Sequence, residues 1–138
     1  MKQVIALLAL MLCGVANAQD KVQVTSLELA KHLYMIKGAG GNIAAVVGPE
    51  GALVIDSQYE HMASQIKSEL ESKQSGVQIK TLVNTHFHGD HVNGNAALAA
   101  GAQIIAHTNV LARLKADSKF PRAGLPTETF VGEKALTL

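Results

Sequence analysis

The chain has 138 residues, with 12 Lys and Arg against 11 Asp and Glu, 48% hydrophobic and 17% charged residues, and one cysteine. That length allows one domain of ordinary size, and the composition excludes a disordered or collagen-like chain. Balanced charge, 4% aromatics and no Trp leave neither an electrostatic footprint nor a stacking platform for nucleic acid, while one cysteine cannot build a disulfide framework or a thiolate zinc cluster.

Lys2 gives a basic start, and Val4–Val15 follows as 12 apolar residues. Such a run makes about 18 Å of helix, too short for a bilayer core of roughly 30 Å. Ala16-Asn17-Ala18 then places small residues where a signal peptidase cuts, so residues 1–18 read as a signal peptide cleaved before Gln19. Leu12 stands where a lipoprotein signal would need a small residue before Cys13, which argues against a lipid anchor. Cleavage leaves 120 residues, numbered 19–138, with 11 basic and 11 acidic side chains, no cysteine and no membrane anchor. The expected destination is the periplasm or the medium, where a thiol-free chain is at no redox risk.

Along the mature chain, Val22–Thr25 and Leu33–Lys37 read as short strands. Asn42–Val47 and Ala52–Asp56 flank Gly48-Pro49-Glu50-Gly51, a hairpin signal. Met62, Ile66 and Leu70 recur at helical spacing and predict an amphipathic helix from Tyr59 to Lys73, ended by Gly76. Val77–Asn84 and Gln103–Ala106 read as strands, and Asn95–Ala100 and Asn109–Ala116 as short helices. Pro121, Gly124, Pro126 and Gly132 make the tail a loop, with a strand starting near Ala135. Early hairpins followed by alternating helix and strand predict an α/β or α+β layer protein.

Chemistry concentrates between the strand at Val77–Asn84 and the next helix, where Thr85-His86-Phe87-His88-Gly89-Asp90-His91 packs four potential metal ligands into six residues. Side chains alternate along extended backbone, so His86 and His88 face the same way and can hold one ion. Gly89 then lets the chain turn and bring Asp90 and His91 round to the same cavity. Imidazole and carboxylate without thiolate suit Zn²⁺ best and also accept Fe or Mn. A carboxylate at the end of an apolar strand makes Asp56 either the partner that orients a ligand imidazole or the N-cap of the following helix. Asn84, Thr85, Asn93 and Asn95 read as supports for the loop. His32 and His61 read as surface residues and His107 as structural.

The pattern HxHxDH, here His86, His88, Asp90 and His91, resembles the signature of the metallo-β-lactamase superfamily. The flanking Leu82–Asn95 and the earlier Gly41–Ser57, which runs through Asp56, are similar to its metallo-hydrolase members. The resemblance implies the N-terminal half of an αββα sandwich, with His86 and His88 on a first zinc and Asp90 and His91 on a second. It also implies metal-assisted hydrolysis, in which hydroxide on a zinc ion, its water lowered to a pKa of about 7, attacks an ester, thioester, amide or lactam carbonyl. Asp90 would be the catalytic residue, directing the nucleophile while ligating the second metal.

A hydrolytic zinc needs three protein ligands plus water, and each metal would find two here. The family supplies a third histidine, a bridging aspartate and a last histidine from its second half, and no counterpart occurs before Leu138. Leu125–Leu138 resembles the segment just ahead of that third histidine. The chain is therefore expected to be part of a longer hydrolase, leaving apolar sheet faces uncovered. His91 disfavours the β-lactamase subclass with Arg at that position, and an export signal disfavours the usually cytosolic hydroxyacylglutathione hydrolases. The resulting expectation is an exported zinc hydrolase of a small molecule. A β-lactamase of the His-only subclass is one alternative, and a catalytically incomplete metal-binding or interaction fragment is the other.

Overall fold

The computed structural model describes residues 22–136, so the signal-peptide reading of residues 1–18 lies outside the described residues. Seven strands form one mixed sheet in chain order: β1 (Thr25–Ala30), β2 (Leu33–Lys37), β3 (Ile43–Gly48), β4 (Gly51–Ile55), β5 (Ile79–Asn84), β6 (Gln103–His107) and β7 (Glu128–Phe130). The first four are antiparallel neighbours, and β5, β6 and β7 each add in parallel. Helices α1 (Ala63–Lys73), α2 (Gly89–Val92), α3 (Asn95–Leu98) and α4 (Thr108–Ala116) fill the crossovers between the parallel strands. Right-handed crossovers that all advance in one direction across a sheet lay their helices on one face.

That face holds the core. Ile43, Ala45 and Val47 alternate inward along β3, Ala52 and Val54 along β4, and Leu82 and Ile104 add the next two strands. Ile66 and Leu70 of α1 and Leu98 of α3 close over them. Val92, Ala106, Val110 and Leu114 make a smaller cluster under α4, with Phe120 and Leu125 packed on its edge. The opposite face carries its own apolar row, Leu27–Met35–Ala44–Ile55–Val83–Ile105, aligned by the pairing register. Ile105 is buried, whereas Leu27 is 56% exposed and the four between are half-exposed. The expected uncovered apolar face is thus present among the described residues.

Several boundaries differ from expectation. The first strand runs Thr25–Ala30, not Val22–Thr25, because its backbone pairs with β2 through Thr25–Lys37 and Leu27–Met35. The first helix is preceded by a 3-10 turn at Glu60–Met62 and ends at Lys73, before Gly76 takes its left-handed φ of 71°. The tail strand lies at Glu128–Phe130, and no strand starts near Ala135 among the described residues. β1 is tied to α1 by Ser26, whose hydroxyl donates to Glu69 Oε1 at 2.5 Å. That bond, and the bond from Lys73, hold the Glu69 carboxyl below its ordinary pKa.

Candidate metal centre

The site forms at the carboxyl ends of β4 and β5, the end where parallel layers collect their functional loops. β4 stops at Ile55, and Asp56 N donates to Val83 O at 2.8 Å, holding the aspartate beside the end of β5. Asp56 has φ of 66° and is 3% exposed, a left-handed, buried position that costs backbone energy for a non-glycine residue. Its carboxylate is fully engaged. Oδ1 accepts from Thr85 N at 2.8 Å, and Oδ2 accepts from Thr85 Oγ1 and from His91 Nδ1, both at 2.7 Å. None of these bonds goes to the helix that follows, and the 3-10 turn starts without a side-chain cap.

This network sets the proton positions on two imidazoles. The carboxylate can only accept, so Nδ1 of His91 donates to it, and in the neutral ring Nε2 keeps its lone pair. The Thr85 hydroxyl donates to Asp56, which leaves its oxygen to accept from Nδ1 of His86 at 2.9 Å. A neutral His86 likewise keeps its lone pair on Nε2. Asp56 thus prepares two lone pairs at once, one directly and one through Thr85, the arrangement by which outer partners orient metal-binding histidines.

The structure gathers His86 and His91 with Asp56 and leaves His88 and Asp90 outside that group of donor atoms. The His86 ring lies 4.0 Å from that of His91 and 4.8 Å from that of His88 between centroids. Asp90 Oδ2 is 3.4 Å from His91 Nε2. Asp56, His86 and His91 each offer an atom within 4.8 Å of the others, while His88 lies at the exposed rim. Asp56 therefore both bonds the imidazoles and offers an oxygen in the same group of candidate ligand atoms. Gly89, Asp90 and His91 belong to the single helical turn α2 instead of the expected loop, entered from His88 in extended backbone. Two bare imidazole nitrogens, a third imidazole and a half-exposed carboxylate make a donor set that fits a divalent ion of the nitrogen–oxygen kind.

A second, neutral network holds the loops behind the site. Asn95 Oδ1 accepts from Ser57 Oγ at 2.7 Å and Asn84 Nδ2 at 3.0 Å, and its Nδ2 donates to Asn84 Oδ1 at 2.8 Å and Gly124 O at 2.9 Å. Asn84 and Asn95 are therefore supports, joined mainly by side-chain pairs. Asn93 is exposed. Ser57 and Gly124 were not readable as site residues, because their roles exist only after distant loops meet.

The remaining histidines lie elsewhere. His32 sits in the β1–β2 turn with φ of 66°, and His61 is exposed and stacked on Tyr59 at 5.6 Å. His107 caps α4 by accepting from Asn109 N at 3.1 Å.

A family model described as the metallo-beta-lactamase superfamily matches residues 36–122. The match spans most of the described chain, and the protein belongs to that superfamily. A hydroxyacylglutathione hydrolase of Polaromonas sp. (strain JS666 / ATCC BAA-500) is 38% identical over 60 residues, which make up 42% of this chain and 23% of that protein. A subclass B3 metallo-β-lactamase of Bradyrhizobium japonicum is similar at a TM-score of 0.70 and 21% identity, over 86% of this chain and 49% of its own. A metallo-β-lactamase from Pontibacter korlensis reaches 0.71 at 17% identity, over 84% and 56%. At such identities the likeness is one of fold, and it agrees with an α+β chain resembling part of the metallo-β-lactamase architecture. The chain spans about half the length of these solved structures and about a quarter of the curated relative.

Proposed function

We propose that this chain carries the metal-binding motif of an exported, zinc-dependent hydrolase acting on a small molecule with an ester, thioester, amide or lactam carbonyl. The observation that carries this reading is the gathering of His86 and His91 beside Asp56, with Nδ1 of each ring bonded into the Asp56–Thr85 network. His86 and His88 would hold one ion and Asp90 and His91 a second. When bound, zinc supplies an acidified water and polarises the carbonyl to be attacked. Asp90, whose carboxylate stands beside His91 Nε2, would accept a hydrogen bond from the attacking water and direct it. Asp56 and Thr85 keep the imidazole protons on the side away from the ion.

Export rests on the basic start, the 12-residue apolar run and the A-x-A ending of residues 1–18, with 19–138 as the mature chain. Among the described residues no helix is long and apolar enough to cross a membrane. The names of the similar proteins suggest the substrates to try: a hydroxyacylglutathione thioester and a β-lactam. A second reading, a metal-binding unit without turnover, rests on the motif offering each of two ions two protein ligands where a hydrolytic zinc takes three.

Assaying the zinc-loaded chain against a chromogenic cephalosporin and a hydroxyacylglutathione separates the two. The hydrolase reading expects turnover of at least one, falling about 100-fold or more in Asp90→Ala. Tight metal binding with no hydrolysis of either would leave the second reading in place.

A further inference from the structure

Residues 38–41, Gly-Ala-Gly-Gly, close the turn between β2 and β3 and lie against the metal motif. A Cβ on Gly41 would overlap the His91 ring, with Nε2 at 2.6 Å and Nδ1 at 2.9 Å. A Cβ on Gly40 would stand 2.6 Å from the Asp90 carbonyl oxygen, and one on Gly38 would overlap Oε1 of Gln58. Gly41 N also donates to Asp90 O at 3.1 Å. The turn thus presses bare backbone against the Cε1 edge of the His91 imidazole, between its two nitrogens.

What keeps the turn there is Gln58. Its side chain is 0% exposed, and a buried amide must find partners. It finds them only in the turn: Nε2 donates to Gly41 O at 2.6 Å, and Oε1 accepts from Gly40 N at 3.4 Å. Gln58 itself has φ of 54°, left-handed for a residue with a long side chain, and its own carbonyl accepts from Gly94 N at 2.8 Å. A strained, buried amide held between the turn and the loop after the motif is over-determined from both sides.

We propose that Gln58 is a positioning residue for the metal centre, acting through the glycine turn Gly38–Gly41 to fix where His91 Nε2 and Asp90 lie. Asp56 pins Nδ1 of the ring, and the turn that Gln58 anchors bounds its Cε1 edge. Gln58 touches neither ion nor substrate. The inference rests on the motif binding a divalent metal, and its test separates the two claims.

Co²⁺ is titrated into the full chain and into Gln58→Ala and Gly41→Ala variants, followed by its visible absorption. In the metal-free proteins, NMR reads the contact between the His91 Cε1 proton and the Gly41 α-protons. The expected result for Gln58→Ala is a roughly 10-fold or greater loss of Co²⁺ affinity, the scale for groups that orient ligands, together with loss of the His91–Gly41 contact. Gly41→Ala is expected to weaken Co²⁺ binding comparably by displacing the ring directly, and the double variant to fall short of the summed effects. A Gln58→Ala protein that melts earlier but keeps its His91 contact, and its Co²⁺ affinity within about twofold, would overturn the proposal. Should Gln58→Ala fail to fold, unchanged Co²⁺ affinity in Gly41→Ala overturns it equally. Wild-type chain that takes up no Co²⁺ defeats the metal reading instead, and the NMR contact in Gln58→Ala then decides the Gln58 link alone.

Discussion

Asp56→Asn is expected to weaken divalent-metal binding by about 10- to 100-fold while leaving the fold in place. Three donors converge on the carboxylate: Thr85 N–H, Thr85 O–H and His91 Nδ1–H. An amide of the same shape offers one acceptor oxygen, and its NH₂ must face at least one of these donors. His91 can relieve the conflict by moving its proton from Nδ1 to Nε2. That move places hydrogen on the atom meant for the ion, so competition for the lone pair lowers affinity without any loss of packing. Heteronuclear NMR of the imidazole nitrogens reads this directly. The wild-type protein should show His91 protonated at Nδ1, and the variant a shift toward Nε2. An Asp56→Asn protein with wild-type metal affinity and an unchanged His91 tautomer would rule out the carboxylate as the organising group.

The largest loss of stability is expected at a residue without charge. Asn95→Ala removes the side chain that joins Ser57, Asn84 and the Gly124 carbonyl, and it leaves their polar atoms facing a cavity. An orphaned buried donor or acceptor costs about 1–3 kcal/mol. Several orphans with some relaxation put the expected destabilisation at roughly 3–5 kcal/mol, a large share of the margin of an ordinary domain. Urea unfolding measures it, with the slope unchanged if the denatured state is unaffected. A destabilisation below about 1 kcal/mol, within the range of a surface substitution, would show that this network does not hold the loops together.

The parts of the site that are near in sequence were readable, because extended backbone imposes its alternation locally. That rule puts His86 and His88 on one side, and their rings lie 4.8 Å apart, but the donor atoms that cluster are those of His86, His91 and Asp56. Asp56 is different. Its position at the end of an apolar strand marked it as either a ring-orienting group or a helix cap. Only the parallel pairing of β4 with β5, across a helical crossover, brings it to Thr85 and His91. Gln58 carried no signal, since a glutamine near a helix start reads as surface until the glycine turn folds over it.

The strands divide in the same way. Leu33–Lys37 has a tyrosine and an isoleucine in a pattern that suits a sheet, and β2 occupies those residues. β1 carries Leu27, Glu28, Leu29 and Ala30, all good helix formers, so its own propensity hides the strand that pairing with β2 creates. β7 is three residues long and exists only as a parallel neighbour of β6, a contact that no local pattern announces.

The claim on which the rest depends is that His86, His88, Asp90 and His91 hold a divalent metal on lone pairs prepared by Asp56. Equilibrium titration of Zn²⁺ into the full metal-free chain, with the bound ion counted per chain, tests it most directly when run beside a His86→Ala/His91→Ala double variant. The wild-type chain is expected to hold at least one ion tightly, and the variant to lose affinity by about 100-fold or more. Wild-type affinity and stoichiometry in the double variant, or no tight ion in the wild-type chain, would contradict it.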